Sequence, residues 1–171
     1  MRTLCPECFE LVLEDGYCPT CRSGERALLV TGDRNWGYFG RVKTTIEILK
    51  PSIVVQGGAK GADTAARIMA QELKIPNIEF QAEWDKYHKA AGPHRNKKML
   101  EHCLRLKKEE FYALDFAIFH DNLGASKGTR NMAKQVLDVF DKFDRVVLVK
   151  STASGTQQLS RHTLTQLLGL A

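Results

Sequence analysis

Three groups of residues in this 171-residue chain have types and spacings that could do chemistry. The first is Gly57-Gly-Ala-Lys-Gly-Ala-Asp63, which follows the β-branched run Ser52-Ile-Val-Val55 and leads into the alanine-rich stretch Thr64 to Leu73. A strand that passes through glycines into a helix brings backbone N–H groups close to an anion, and phosphate is the expected guest. Glycine can serve there by allowing φ > 0 and by leaving no Cβ to hold a ligand off the donors. The second group is Ser126, Gly128 and Thr129, ahead of another helix, where hydroxyls and N–H groups could share an anion. Lys60-Gly61-Ala62 and Lys127-Gly128-Thr129 stand where a Walker loop would have Gly-Lys-Ser/Thr, and neither stretch matches GxGxxG. A turn that merely lets a helix pack on a strand would read the same way.

The third group is Cys5-Pro-Glu-Cys8 with Cys18-Pro-Thr-Cys21. Each pair offers two thiolates from one tight turn, and the spacer is long enough for a hairpin that would gather Cys5, Cys8, Cys18 and Cys21 into a tetrahedral zinc site. Two disulfides or a redox pair are the competing readings; a reducing compartment disfavours the first and the duplication disfavours the second. So short a segment has too little apolar core, so a structural Zn2+ would supply its folding free energy. Its apolar residues Phe9, Leu11, Val12, Leu13 and Tyr17 could dock on another surface. Cys103, at helical spacing from Met99 and Leu106, reads as a small core residue.

Single residues add to the first two groups. Arg34 and Arg95 could form charge-assisted bonds to phosphate or carboxylate. Asp63 reads either as a helix N-cap or as a hydrogen-bond partner for a ribose hydroxyl or an arginine. Trp36 and Trp84 could stack on a base or close the core. His88 and His94 lack a second ligand at metal spacing and read as surface residues.

The elements that must position these residues follow from pattern. Ala27–Val30, Ser52–Val55, Ile78–Phe80, Phe116–Phe119 and Arg145–Val149 are short apolar strands. Between them, helical spacing marks Arg41–Lys50, stopped by Pro51, then the stretch through Ala65, Ile68, Met69 and Leu73. A third helix starts at Pro93 and runs through Met99 and Leu104, and a fourth carries Met132, Val136, Leu137, Val139 and Phe140. Leu159, Leu164, Leu167 and Leu168 give the tail a faint helical pattern. Strands too continuously apolar to have a wet face, alternating with helices, imply an α/β doubly wound parallel sheet of about five strands. Ligands of such folds bind beyond the carboxyl ends of the strands, where the glycine loops and the Trp84 to Arg95 segment would gather. The expected organisation is a zinc ribbon over 1–24, a Rossmann-like domain over 25–150 and a tail over 151–171.

A hydrophobic content of 43% with 26% charged residues fits a globular protein with a core. No apolar run reaches the roughly 18 residues of a membrane span, and the N-terminus lacks the apolar stretch of a signal peptide, so a cytoplasmic location without membrane partners is expected. The net charge of +5, from 25 Lys+Arg against 20 Asp+Glu, suits nucleotides or nucleic acid without requiring either.

Read in order, Val30-Thr-Gly-Asp-Arg34, Gly57-Gly-Ala-Lys-Gly-Ala-Asp63, Trp84, Ala91-Gly-Pro-His-Arg-Asn96 with Met99, and Gly128-Thr129 resemble the YspA-type (DUF2493) branch of the SLOG superfamily. That superfamily also groups the LOG (lysine-decarboxylase-like) phosphoribohydrolases and the DNA-processing protein DprA. The resemblance covers about residues 27 to 150. It implies a Rossmann-like sheet whose loops bind a nucleotide-derived ligand such as a nucleotide-sugar or ADP-ribose derivative, and it adds Thr31, Gly32, Ala59, Lys60, Gly92 and Asn96 to the ligand-binding set. LOG enzymes cleave the N-glycosidic bond of nucleotides with an arginine in RK..M and a glutamate in GGxGTxEE. Arg95 and Met99 match the first motif, whereas Arg130, Asn131 and Met132 follow Gly128-Thr129, so both glutamates are missing. An amide cannot replace a carboxylate as a base. Three functions follow as expectations: a nucleotide-ligand binder or sensor first, an N-glycosidic hydrolase using Asp63 and Arg95 second, and a single-stranded nucleic-acid module third. A homo-oligomer is a further candidate partner.

Overall fold

The computed structural model describes residues 24–110, 112–153 and 155–170. The paired cysteines at 5, 8, 18 and 21, and the ribbon expected around them, lie outside the described residues. The five expected strands are β1 (Arg26–Gly32), β2 (Ile53–Gln56), β3 (Asn77–Glu79), β4 (Ala113–Phe119) and β5 (Arg145–Val149), all parallel. A sixth, β6 (Gln157–Gln158), pairs antiparallel with β5 and extends the sheet order to β3-β2-β1-β4-β5-β6. Two glutamines are too short a segment to show an alternating pattern, which is why it is not read from sequence.

Helices α1 (Phe39–Leu49) and α2 (Ala62–Glu72) cover one face of the sheet. The other face carries α4 (Ala91–Glu110), α5 (Lys127–Asp138) and α6 (Arg161–Leu167). Strand residues alternate between the two cores. Ala27 and Leu29 face α4 and α5, while Leu28 and Val30 face α1 and α2; Phe116 and Ile118 alternate with Ala117 and Phe119 in the same way. Every one of these side chains is excluded from water, and burial of a Leu or Phe contributes about 1.5–3 kcal/mol. The α/β fold read from the sequence is thus observed, as a sheet that is parallel apart from its last edge.

The ends of the helices explain their limits. Lys50 takes the left-handed conformation at φ 49° and returns its N–H to the Ile46 carbonyl, and Pro51 then prevents continuation. Pro93 lies inside the first turn of α4, where its missing N–H leaves no bond unmade. Ser126 caps α5 and Ser160 caps α6, each accepting the N–H three residues on. Val139 lies just past α5, and Phe140 starts a short 3-10 turn. A one-turn helix not read from sequence, α3 (Trp84–Tyr87), precedes α4. Leu159, Leu164 and Leu168 join the core between α5 and the sheet, so the last segment packs on the same domain. Cys103 is wholly buried and its thiol is pushed up to about 12 by that burial, which suits an inert core position.

At the amino ends of the strands, Asp115 is wholly buried between two arginines. Arg26 donates to its two oxygens at 3.0 and 3.1 Å, and Arg145 does so at 2.9 and 2.6 Å. Arg145 also donates to the Leu49 carbonyl at 2.9 Å, which ties α1 to this end of the sheet.

Candidate functional site

β1 and β4 are neighbours, yet the helices that follow them pack on opposite faces of the sheet. Their connections therefore diverge and open a crevice at the carboxyl ends, which is where doubly wound folds place ligands. A cavity of about 570 Å3 occupies it, walled by Thr31 to Asn35 after β1, His120 after β4, Ala125 to Thr129 at the start of α5, and Ala59, Asp63 and Arg95. A second cavity of about 540 Å3 adjoins it, lined by Gly57 to Lys60, Gln81, Ala82 and Trp84. Arg34, Ala59 and Arg95 line both. A further depression of about 400 Å3 beside α1, with Tyr38 and Ile48 on its wall and Arg41 as its one charged residue, offers little to an anion.

The first glycine loop already cradles an anion, and it is the protein's own. The Gly57 and Ala59 N–H groups both donate to Asp63 Oδ2 at 3.2 Å, and the Gly58 N–H donates to Gln56 Oε1 at 2.6 Å. Asp63 is not the N-cap of α2, a position Gly61 holds; its side chain turns back into the preceding loop. Burial is the main influence on this carboxyl and raises its pKa to about 6, while Arg95 at 3.9 Å and the two N–H groups pull the other way. Arg95 donates to the Gly57 carbonyl and to Asn96 Oδ1. A Cβ on Gly57 would collide with the Arg95 guanidinium, so glycine at 57 makes room for this arginine. Burial works against the Arg95 charge and Asp63 supports it.

The second loop is built differently. Ser126 Oγ accepts the Thr129 N–H at 3.2 Å and donates to Thr129 Oγ1, which in turn donates to the Gly32 carbonyl at 2.9 Å. The first turn of α5 is thereby fixed against the end of β1. Asn96 is buried and donates to the Gly128 carbonyl at 3.3 Å and to Asn131 Oδ1 at 3.0 Å, and Gln135 also donates to Asn131. Asn131, one of the two positions at which a LOG enzyme would carry glutamate, is spent on bridging α4 to α5.

Of the residues expected at the site, Thr31, Gly32, Arg34, Ala59, Asp63, Arg95, Ser126, Gly128 and Thr129 wall the first cavity. Gly57, Gly58, Lys60 and Trp84 wall the second. Gly61, Gly92 and Asn96 line neither: Gly61 starts α2 at φ 75°, Gly92 lies beside the Trp84 ring, and Asn96 holds α5 in place. Trp84 is 52% exposed at the cavity wall, whereas Trp36 is buried against Phe119 and donates its indole N–H to the Tyr38 carbonyl. Of two further carboxylates, Asp33 lines the cavity and accepts the Asn35 N–H, and Asp121, which follows His120, is engaged by Ser151. His120 and Lys127 line the crevice without having been singled out from sequence; recognising His120 needs the strand order, because only β4's position beside β1 puts its end at the crevice. The described residues hold no group of three or more His, Cys, Asp or Glu placed to bind a metal, and no helix among them is long and apolar enough to cross a membrane.

Residues 26–87 match the family described as YspA, cpYpsA-related SLOG. The match includes the Val30 to Arg34 and Gly57 to Asp63 motifs on which the resemblance rests. Among solved structures, the X-ray structure of DNA processing protein A (DprA) from Streptococcus pneumoniae is similar at TM-score 0.53 and 16% identity, over 85% of this chain and 55% of that one. The chain thus spans about half the length of that protein, and the likeness is one of fold. A structure from the PezAT chromosomal toxin-antitoxin system of Streptococcus pneumoniae is similar at TM-score 0.38 and 11% identity, over 85% of this chain and 78% of that one. No curated protein matches the chain.

Proposed function

We propose that this domain holds a nucleotide or nucleotide-derived ligand in the paired cavities, with phosphate toward the first turn of α5 and the base toward Trp84. The observation that carries this reading is Arg34: it lies where the two cavities meet, is exposed, and makes no hydrogen bond or ion pair with another described residue. A guanidinium with unengaged donors at such a junction suits a phosphate or diphosphate, which it can grip with two parallel bonds. Lys60, Arg95 and Lys127 add positive charge around it, against Asp33 and Asp63. Each cavity has the volume usual for small-ligand sites, and an exposed indole face is a stacking platform for a base.

Because Asn131 replaces a carboxylate and Asp63 is engaged by two backbone donors, the arrangement favours holding over cleaving. Thermal-shift and calorimetric screening of the purified chain against nucleoside monophosphates, NAD and ADP-ribose tests this; stabilisation that is lost in Arg95→Ala is expected, and no stabilisation by any of them overturns it. Chromatography of the same mixtures would reveal release of base or ribose phosphate, which would make the site that of a hydrolase. Association with single-stranded DNA that falls steeply with salt would instead mark a nucleic-acid site.

We further propose that Cys5, Cys8, Cys18 and Cys21 hold one structural zinc ion. Metal analysis of the purified chain is expected to give one zinc per chain and none in the Cys5→Ser, Cys18→Ser double variant; a zinc-free wild-type chain contradicts it.

A further inference from the structure

The chain end of β4 presents a side chain that the proposed site does not yet use. His120 is 5% exposed and lines the first cavity. Its Nδ1 accepts the Asn122 N–H at 2.9 Å, which places the ring proton on Nε2 and fixes the ring's orientation. Nε2 has no partner among the described residues. Nε2 is not a fully buried atom, since His102 Nε2 is the one buried unpartnered side-chain nitrogen or oxygen among the described residues, so this donor can be reached from the cavity that His120 lines.

The facing wall is the first turn of the 12-residue α5. Ser126 satisfies the Thr129 N–H, which leaves the Lys127 and Gly128 N–H groups without acceptors among the described residues. Nothing among the described residues requires glycine at 128: its φ is not positive, and a Cβ there would meet none of them within 4 Å. Glycine in a helix is disfavoured relative to alanine. Its absence of a side chain clears space on the cavity side, where the backbone can be approached by something other than the protein. Lys127, Arg34 and Arg95 on the same walls give that space a positive bias, with Asp33 and Asp63 opposing it and Asp121 engaged by Ser151.

We propose that His120 is a ligand-binding residue whose Nε2–H donates to an oxyanion, of the size and charge of a phosphate, seated between it and the first turn of α5. This rests on the phosphate end of the reading above and gives the two glycine loops unequal roles. The Gly57 to Ala59 donors are occupied by Asp63 and Gln56, so the loop at α5, with His120 opposite, takes the anion.

The test uses the full chain and inorganic phosphate. Nitrogen-15 imidazole spectra followed through a phosphate titration are expected to show the His120 Nε2 resonance moving together with the Lys127 and Gly128 amides. His120→Asn keeps an acceptor where Nδ1 stood and deletes the distal donor; it is expected to weaken phosphate binding roughly tenfold or more. His120→Gln restores a distal donor and is expected to bind closer to wild type. Amide shifts with an unmoved His120 ring, a His120→Asn variant that binds as well as wild type, or no response to phosphate overturn the proposal. Should both variants lose binding alike, the wild-type ring shift decides: present, it supports the contact; absent, it refutes it. AMP or ADP-ribose bound equally by wild type and His120→Asn would remove His120 while leaving the nucleotide reading intact. Phosphate bound through His120 with no nucleotide bound more tightly would do the reverse.

Discussion

The two ends of the sheet each bury a carboxylate, and they treat it in opposite ways. At the amino ends, Asp115 receives four hydrogen bonds from Arg26 and Arg145, and Arg145 spends a further donor on Leu49. At the carboxyl ends, Asp63 meets one arginine at 3.9 Å and two backbone N–H groups, while Arg34, Lys127 and His120 Nε2 line the same cavity without acceptors among the described residues. The first end is closed electrostatically and ties strands to a helix. The second is left incomplete by the described residues, and cavity-facing donors without acceptors are what a binding site needs before its ligand arrives.

The comparison can be broken most visibly at Asp115. Replacing it with alanine removes the buried carboxylate that both arginines grip with four hydrogen bonds, and urea unfolding is expected to show a loss of about 3–5 kcal/mol. A loss below about 1 kcal/mol would mean that the amino end is not the fold's electrostatic anchor.

Asp63 carries the next effect, and its sign distinguishes the two ends. Its carboxyl is more easily protonated in the folded chain than in the unfolded one, so its contribution to stability is fully present below about pH 4 and is lost as pH rises through about 6. Measured by unfolding at pH 4 and pH 7, the wild-type stability relative to Asp63→Asn is expected to fall by on the order of 2 kcal/mol. A difference that stays flat over this window would show that burial does not govern the group. The smallest stability effect belongs to Gly128→Ala, expected to raise unfolding stability by about 0.5–1 kcal/mol through helix propensity while weakening phosphate binding. Stability and affinity rising together would mean that nothing approaches Gly128.

Much of this was legible in the residues, and the remainder has identifiable causes. Continuous apolar runs such as Ala27–Val30 and Phe116–Phe119 announce buried parallel strands, and Pro51 and Ser126 announce helix limits. The cavity residues Arg34, Trp84, Arg95 and Thr129 were visible because glycine, charge and aromatic side chains cluster after strands. What pattern alone does not carry is the direction of a hydrogen bond. Gly57-Gly58-Ala59 reads as a phosphate cradle, and only the turn of Asp63 back into the loop shows that those donors are taken. Likewise Asn96 reads as a ligand contact but is spent on Gly128 and Asn131, and His120 gains its meaning from the neighbouring of β4 and β1.

Arg34→Ala isolates the claim that the carboxyl end is a nucleotide-holding site, because this exposed side chain contributes no hydrogen bond or ion pair to the described fold. Calorimetric titration of the best-binding nucleotide from the screen, run beside urea unfolding of the same samples, is the direct measurement. The account predicts an unchanged unfolding midpoint with affinity reduced roughly tenfold or more; equal affinity in the variant, or no binding heat for any nucleotide in the wild type, would contradict it.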